Sequence, residues 1–437
     1  MKKFKKYKIC VIGAGHVGLV SAACFSEMGY QVICVDCDTK KINSLKRKIL
    51  PFYEPALDSI VTKNTKKGNL VFSSALEASV KKSDIIFIVV GTPPLPNGSA
   101  DLTSIENVAR AIARNLNSYK LIVEKSTVPV QTGSKVKETI YRYRKNSVEF
   151  DIASNPEFLR EGKAIYDFFH PDRIVVGVEH KRAEKIIRKL YSSIKAPLIV
   201  TDINTSELIK HASNSFLATK ISFINAVARI CDLAGANVKK VALGMGFDKR
   251  IGKDFLDAGL GYGGFCFPKD LEAFAYISKK LGYDFNLLQE VKRINEEQRR
   301  YFSEKIKEHL WVIKNKKIAV LGLSFKPDTD DMRFAPSIDI VNFLLDEGAS
   351  VRLYDPQANI EAKKIFANSK LEFAKNAYDA ANKCDCVCIL TEWEEFKRLD
   401  FAKLKKCMHY PLVADGRNMF DKNHIEAAGF KYIGIGT

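Results

Sequence analysis

No stretch of these 437 residues is apolar for long enough to cross a bilayer. The start, Met1-Lys-Lys-Phe-Lys-Lys-Tyr-Lys8, is basic, but the apolar run after it is short and ends in a glycine loop. It reads as a first strand and not as a signal peptide, so the expectation is a cytoplasmic protein without a membrane partner. A disulfide framework is also missing. Of the ten cysteines, Cys10 and Cys34 fall in apparent strands, and Cys24 and Cys231 in apparent helices. Cys384, Cys386 and Cys388 alternate as one face of a strand would, an arrangement a disulfide does not readily bridge. Most read as small buried hydrophobes in a reducing compartment. Cys34-Val-Asp-Cys37 lacks a second pair and a nearby histidine, so no metal is expected. The net charge of +18 is carried by dispersed lysines, without interleaved basic and aromatic residues. That favours small anionic ligands over nucleic acid.

What is present is a 46% apolar, 27% charged chain, long enough for two or three domains. Tyr7 to Ile12 is rich in strand formers, and Gly13-Ala-Gly-His-Val-Gly18 follows at once. A helical stretch to Gly29 and a second strand, Gln31 to Val35, end at Asp36, 23 residues after Gly13. Strand, glycine turn, helix, strand and acid in this order predict a dinucleotide site. Gly13, Gly15 and Gly18, with Val17 between, allow a tight turn and close approach of a pyrophosphate to the helix N-terminus. Asp36 suits the adenosine ribose hydroxyls and would repel a 2′-phosphate, so the expected cofactor is NAD; Lys40 and Lys41 nearby soften the preference over NADP.

Further strands, Asp84 to Val90 and Lys120 to Glu124, end in Gly91-Thr-Pro-Pro94 and Lys125-Ser-Thr-Val-Pro129. Thr92, Ser126 and Thr127 thus lie where doubly wound sheets bind ligands. After Asp151 to Ser154, Asn155 is a candidate helix cap and Pro156 a first helical residue, which would put Glu157 and Glu161 on one helical face. From Thr205 to about Leu233 there is neither proline nor glycine, so one helix of nearly thirty residues is expected, with Lys210 and Asn214 on a shared face. Helical patterns continue through Phe274 to Lys280 and Phe285 to Ile313. The α/β pattern then restarts with Lys317 to Gly322, a helix from Pro336 to Gly348, and a strand from Val351 ending at Asp355, without a second G-x-G-x-x-G. The fold class expected is therefore α/β: two Rossmann-like doubly wound domains, joined by a long central helix and a helical middle domain. Their spans are 1–200, 201–312 and 313–437.

Within the middle region lies Gly261-Tyr-Gly-Gly-Phe-Cys-Phe-Pro-Lys-Asp270. Pro268 is a natural first helical residue, so Cys266 falls near a helix N-terminus, where the dipole and Lys269 favour a thiolate. Asp270 follows one turn later. By itself the segment fits either a buried structural cysteine in a tight turn or a nucleophile.

Taken together, Gly13-Ala-Gly-His-Val-Gly18, Val90-Gly-Thr-Pro-Pro94, Lys125-Ser-Thr-Val-Pro129, Asn155-Pro-Glu-Phe-Leu-Arg-Glu-Gly162, Gly263-Gly-Phe-Cys-Phe-Pro-Lys-Asp270 and Gly322-Leu-Ser-Phe-Lys326 resemble the nucleotide-sugar dehydrogenases, the UDP-glucose/GDP-mannose dehydrogenase family, over essentially the whole chain. The resemblance implies oxidation of a sugar C6 alcohol to a carboxylate with two NAD+, through a thiohemiacetal and a thioester on Cys266. It implies oxyanion stabilisation by Lys210 and Asn214, a hydrolytic acid/base role for Glu157, and positioning of water and the reacting centre by Thr127 and Asp270. Thr92, Glu161, Lys269 and Arg333 match NAD-side positions, with Asp36 and Lys41 at the ribose and Thr127 beside the cofactor. Glu157, Phe158, Leu159, Phe255, Leu256, Gly259, Gly263 and Phe267 would line the sugar nucleotide, and Lys326 and Arg417 its diphosphate and sugar. Arg250 matches an arginine that relatives present across a dimer interface, so a homodimer is implied. His170-Pro-Asp-Arg-Ile-Val175 is more similar to the branch that uses UDP-glucose. The alternatives are GDP-mannose as substrate, or a two-electron alcohol or hydroxyacid dehydrogenase on a related scaffold. Phe265 departs from the small residue that relatives often carry there.

Overall fold

A computed structural model describes residues 7–367 and 371–437. The basic residues 1–6 noted above lie outside them. Two compact units emerge: Met1–Ser213 with Glu272–Tyr283, and Asn214–Leu271 with Asp284–Thr437.

The first unit is built on eight strands: β1 Lys8–Ile12, β2 Gln31–Val35, β3 Leu70–Ser73, β4 Ile85–Ile88, β5 Lys120–Glu124, β6 Phe150–Ser154, β7 Ile174–Val178 and β8 Leu198–Thr201. Their order is β3-β2-β1-β4-β5-β6-β7-β8. All neighbours are parallel except β6 and β7, which run antiparallel. The strands are near-continuous apolar runs because helices cover both faces. Along β1, Ile9 and Val11 enter one core and Cys10 and Ile12 the other, as the two-residue strand period requires. Strand order reverses between β1 and β4, which creates a crevice at the strands' carboxyl ends.

The second unit repeats the plan with six parallel strands: β9 Lys317–Leu321, β10 Ser350–Tyr354, β11 Leu371–Phe373, β12 Cys386–Ile389, β13 Leu412–Asp415 and β14 Lys431–Ile433, in the order β11-β10-β9-β12-β13-β14. Ile318 and Val320 of β9 face one core, Ala319 and Leu321 the other. The expected long helix is observed as Ile203–Ala234, 32 residues. Cys386 and Cys388 share a face with sulfurs 3.9 Å apart, and none of the ten thiols is in a disulfide.

Two local expectations are corrected. Residues 155–160 are not helical, and the helix there is Ala164–Phe169. Asn155 is buried, and its amide serves the core, donating to the Val175 carbonyl and accepting from Lys125 and Tyr191, so it is not available as a cap. Glu157 and Glu161 therefore sit on an irregular segment and share no helical face. The other helix begins at Cys266 itself and runs to Lys280, so Pro268 is its third residue and not its first.

Candidate active site

The glycine turn after β1 is shaped by its lack of side chains. Gly13 has φ +109° and donates its N–H to the Val35 carbonyl at 2.7 Å. A Cβ there would collide with the Val89 backbone, and one on Gly18 would collide with the Gly13 carbonyl. Gly15 differs: among the described residues, nothing beyond its chain neighbours stands within 4 Å of where its Cβ would be, which leaves open backbone at the start of the helix His16–Glu27. That is the access a pyrophosphate needs. Asp36 closes the turn by accepting from Ala14 N–H at 2.8 Å, Asp38 N–H at 2.9 Å and Lys41 Nζ at 3.0 Å. Burial opposes its ionisation, but these three donors outweigh it and hold its pKa below the ordinary carboxylate range. Lys41 is thus tied to the acid, and part of the carboxylate's acceptor capacity remains for a ribose. Thr92, buried, donates to the Thr127 carbonyl at 2.9 Å and joins the loops after β4 and β5. Val17 and Glu161 are half-buried. These residues fit an NAD site.

In the same unit, Lys210 Nζ donates to Glu157 Oε1 at 3.1 Å, and both side chains are buried. Glu157 Oε2 accepts from the Leu159 N–H, which fixes the carboxylate on its irregular segment. Phe158 stands beside two cations: the Arg173 guanidinium lies 3.7 Å and Lys210 Nζ 5.3 Å from its ring centroid. Behind the pair is Lys125, whose Nζ donates to Asn155 Oδ1 at 3.2 Å. Burial pushes the Lys125 ammonium down to about 8, against the pull of Glu157 and with help from the Lys210 charge. Lys125 and Asn155 fall inside recognisable motifs, yet their burial has no local signature.

In the second unit, half-buried Cys266 is the first residue of its helix. One turn on, Asp270 Oδ2 accepts from Asn214 Nδ2 at 2.6 Å, and Asp270 Oδ1 pairs with Lys269 Nζ at 2.8 Å. All three of these side chains are buried. Phe265 packs between cations, with the Arg333 guanidinium 4.5 Å and Lys269 Nζ 5.7 Å from its centroid. Phe267 contacts Phe255 and stands edge-on to Tyr262. Leu256 is buried, Gly259 N–H donates to Asn225, and a Cβ on Gly263 would strike the Phe334 carbonyl. Lys326 lies over the Phe325 ring. Arg417 holds three carbonyls, those of Leu390, Gly261 and Phe325, at 2.8 to 3.1 Å, so it braces the loop of Gly261. Arg250 is 89% exposed and bonds Asp248 on its own loop.

A glycine-turn dinucleotide cradle, together with buried lysine, amide and carboxylate groups and a helix-N-terminal cysteine, defines the class of NAD-dependent dehydrogenases. Family models of the UDP-glucose/GDP-mannose dehydrogenases match three segments: the NAD binding domain at residues 7–195, the central domain at 204–297 and the UDP binding domain at 319–422. The chain belongs to that family and is an NAD-dependent oxidoreductase. It is 46% identical over 429 residues to the UDP-glucose 6-dehydrogenase TuaD of Bacillus subtilis, covering 98% of this chain and 93% of that protein. It is 45% identical over 436 residues to the UDP-glucose 6-dehydrogenase of Rhizobium meliloti, covering 98% and 99%. The structure of a UDP-glucose dehydrogenase from Pyrobaculum islandicum superposes with a TM-score of 0.92 at 35% identity, covering 100% of this chain and 99% of that one. Among the described residues, no cluster of metal-ligating side chains and no membrane-length apolar helix occurs.

Proposed function

We propose that the protein oxidises the C6 alcohol of UDP-glucose to the carboxylate of UDP-glucuronate, with Cys266 as the covalent nucleophile. The observation that carries this reading is the first turn of the helix Cys266–Lys280, where a half-buried thiol is followed by the buried Lys269–Asp270–Asn214 chain. NAD+, when bound, supplies the hydride acceptor for each of two oxidations. Lys210 and Asn214 stabilise the alkoxide and then the tetrahedral oxyanions, with Lys210 fixed by Glu157 and Asn214 by Asp270. An aldehyde has no second hydride to give until a nucleophile adds. The Cys266 sulfur bonds to C6 and the carbonyl oxygen takes a proton, giving a thiohemiacetal. Loss of a second hydride and of the hydroxyl proton leaves a thioester. Glu157, with Thr127 and Asp270 ordering water, takes a proton from the attacking water as the C–S bond breaks, and Cys266 recovers its proton. Each sugar nucleotide thus consumes two NAD+ and one water. Glu161, Lys269 and Arg333 serve the cofactor. Phe158, Leu159, Phe255, Leu256, Gly259, Gly263 and Phe267 line the sugar nucleotide, with Lys326 and Arg417 at its diphosphate end.

Counting NADH per sugar nucleotide tests this. About two from UDP-glucose, and none from GDP-mannose, is expected of a thioester route. Cys266→Ala should keep NADH binding while carboxylate formation falls by about 10³-fold or more. Unchanged carboxylate output from that variant would remove the cysteine from the mechanism.

A homodimer and a cytoplasmic setting complete the reading. Phe216, Phe223 and Ile230 recur every seven residues on the long helix and are 65%, 51% and 63% exposed, an apolar stripe suited to a second copy. Arg250, exposed, is the residue this reading assigns to that copy. Ten thiols without a disulfide support a reducing compartment. Phe223→Glu should halve the mass seen by light scattering; a wild-type mass would move the interface elsewhere.

A further inference from the structure

Glu54 has no part in the chemistry above, yet its side chain is fully buried and three N–H donors converge on it. His16 Nε2 donates to Oε2 at 2.9 Å, Gly162 N–H to the same oxygen at 2.8 Å, and Ala164 N–H to Oε1 at 2.8 Å. The imidazole is held from its other side by Phe52, stacked at 4.2 Å. His16 is the first residue of the helix that opens the dinucleotide cradle. Gly162 lies at the end of the irregular segment that carries Glu157 and Glu161, and Ala164 opens the helix that follows it. One carboxylate therefore fastens the cofactor turn to the segment bearing the hydrolytic acid. That segment has no helix or strand pairing of its own between 155 and 160, so its shape depends on such side-chain anchors. Burying a charged group is costly unless its bonds are made, and a carboxylate is an acceptor for all three donors at once.

We propose that Glu54 is a positioning residue that sets the Glu157 segment in register with the dinucleotide turn, His16 being the link on the cofactor side. This rests on the roles assigned to the turn and to Glu157 above. Glu54→Gln keeps the volume but turns an amide N–H₂ toward a donor, so at least one of the three bonds is lost. His16→Leu, which has no donor, cuts only the cofactor-side link.

The experiment uses the full-length enzyme and three readouts: NADH affinity by fluorescence titration, kcat and KM at saturating NAD, and the fraction of Cys266 carrying a covalent adduct in quenched turnover, by intact mass. Glu54→Gln should weaken NADH binding about 10-fold and lower kcat by about 10- to 100-fold, as a misplaced catalytic segment does. It should also accumulate the covalent adduct, because hydrolysis is the step assigned to Glu157. His16→Leu should weaken NADH about 10-fold, one such bond's worth, and lower kcat less than Glu54→Gln does, because the Gly162 and Ala164 bonds remain. A purely structural Glu54 would lower the melting temperature and leave affinity, kcat and adduct unchanged below it, which overturns the proposal. Should Glu54→Gln fail to fold, wild-type NADH affinity in His16→Leu overturns it. The NADH titration needs no sugar nucleotide, so its result stands apart from whether UDP-glucose is the substrate.

Discussion

The first six strands of the two sheets share one order and open their first turn in the same way, yet the turns present different chemistry. Gly13 and Gly322 both follow the first strand, at φ +109° and +89°, and both donate to the end of the second strand, to Val35 and Tyr354. In both, the next N–H bonds an aspartate beyond that strand: Ala14 to Asp36 at 2.8 Å, Leu323 to Asp355 at 2.7 Å. The difference lies around that acid. Asp36 takes three donors and remains partly exposed beside a bare Gly15. Asp355 is wholly buried and takes the backbone N–H groups of Leu323, Ser324, Gln357 and Ala358, the Ser324 hydroxyl and the Trp393 indole. The first unit leaves its acid partly exposed and its backbone open. The second turns the same acid into a structural plug and has Ser324 and Pro327 where the first has Gly15 and Gly18.

Removing the shared glycines should have the largest effect. Gly13→Ala and Gly322→Ala each add a Cβ at a left-handed φ, against the Val89 backbone and against Thr391. Each should cost about 4 kcal/mol or more in denaturant unfolding. Gly15→Ala breaks the symmetry: with open space around it, unfolding should be nearly unchanged while NADH affinity falls about 10-fold or more. Full NADH affinity in Gly15→Ala would mean that the pyrophosphate does not approach this turn. The aspartates come next. Asp355→Asn leaves buried donors facing an amide and should cost about 3 kcal/mol. Asp36→Asn should cost about 1 kcal/mol and act mainly on NADH affinity. Equal stability losses at the two sites would erase the distinction between plug and ligand acid.

The parts of the molecule visible in the sequence are those where local pattern and final environment agree. The β1-turn-β2-acid unit, the strands β4, β5, β9 and β12, and the long helix follow from apolar runs, turn residues and the absence of breakers. The short edge strands β3, β11 and β14 do not, and neither does the antiparallel β7, whose pairing depends on neighbours far along the chain. Asn155-Pro156 looks like a helix start because asparagine caps helices when its amide is free, and here burial commits the amide to Lys125, Tyr191 and Val175. Glu54 was invisible for the same reason: its partners lie 38, 108 and 110 residues away. Motif and spacing single out Cys266, Lys210, Asn214 and Asp270 as candidates, but the buried pairing of Glu157 with Lys210 and of Asp270 with Asn214 emerges only from the fold.

A smaller contrast lies at the ends of β5 and β13, which occupy equivalent places in the two sheets. Each ends in a buried acid, Glu124 and Asp415, whose pKa is raised chiefly by burial. Asp415 is fully engaged, accepting from the N–H groups of Arg417 and Phe420 and from the Tyr432 hydroxyl. Glu124 accepts from Ser126 N–H with Oε1, and its Oε2 has no hydrogen-bond partner among the described residues. Burial pushes Glu124 up to about 8 from 4.5, so between those pH values the folded chain holds a proton that the unfolded chain has lost. Stability from this group is complete below about pH 4.5 and lost as pH rises through about 8. Glu207, pushed up to about 7 by burial, acts in the same direction. Glu124→Gln removes its share of that slope and should narrow the difference in unfolding free energy between pH 5 and pH 8 by about 3 to 4 kcal/mol. Asp415→Asn should instead destabilise at both pH values, because an amide now faces one of three donors. An unaltered pH slope in Glu124→Gln would show that Glu124 is ionised in the folded protein, and that the two strand-end acids differ less than their hydrogen bonds suggest.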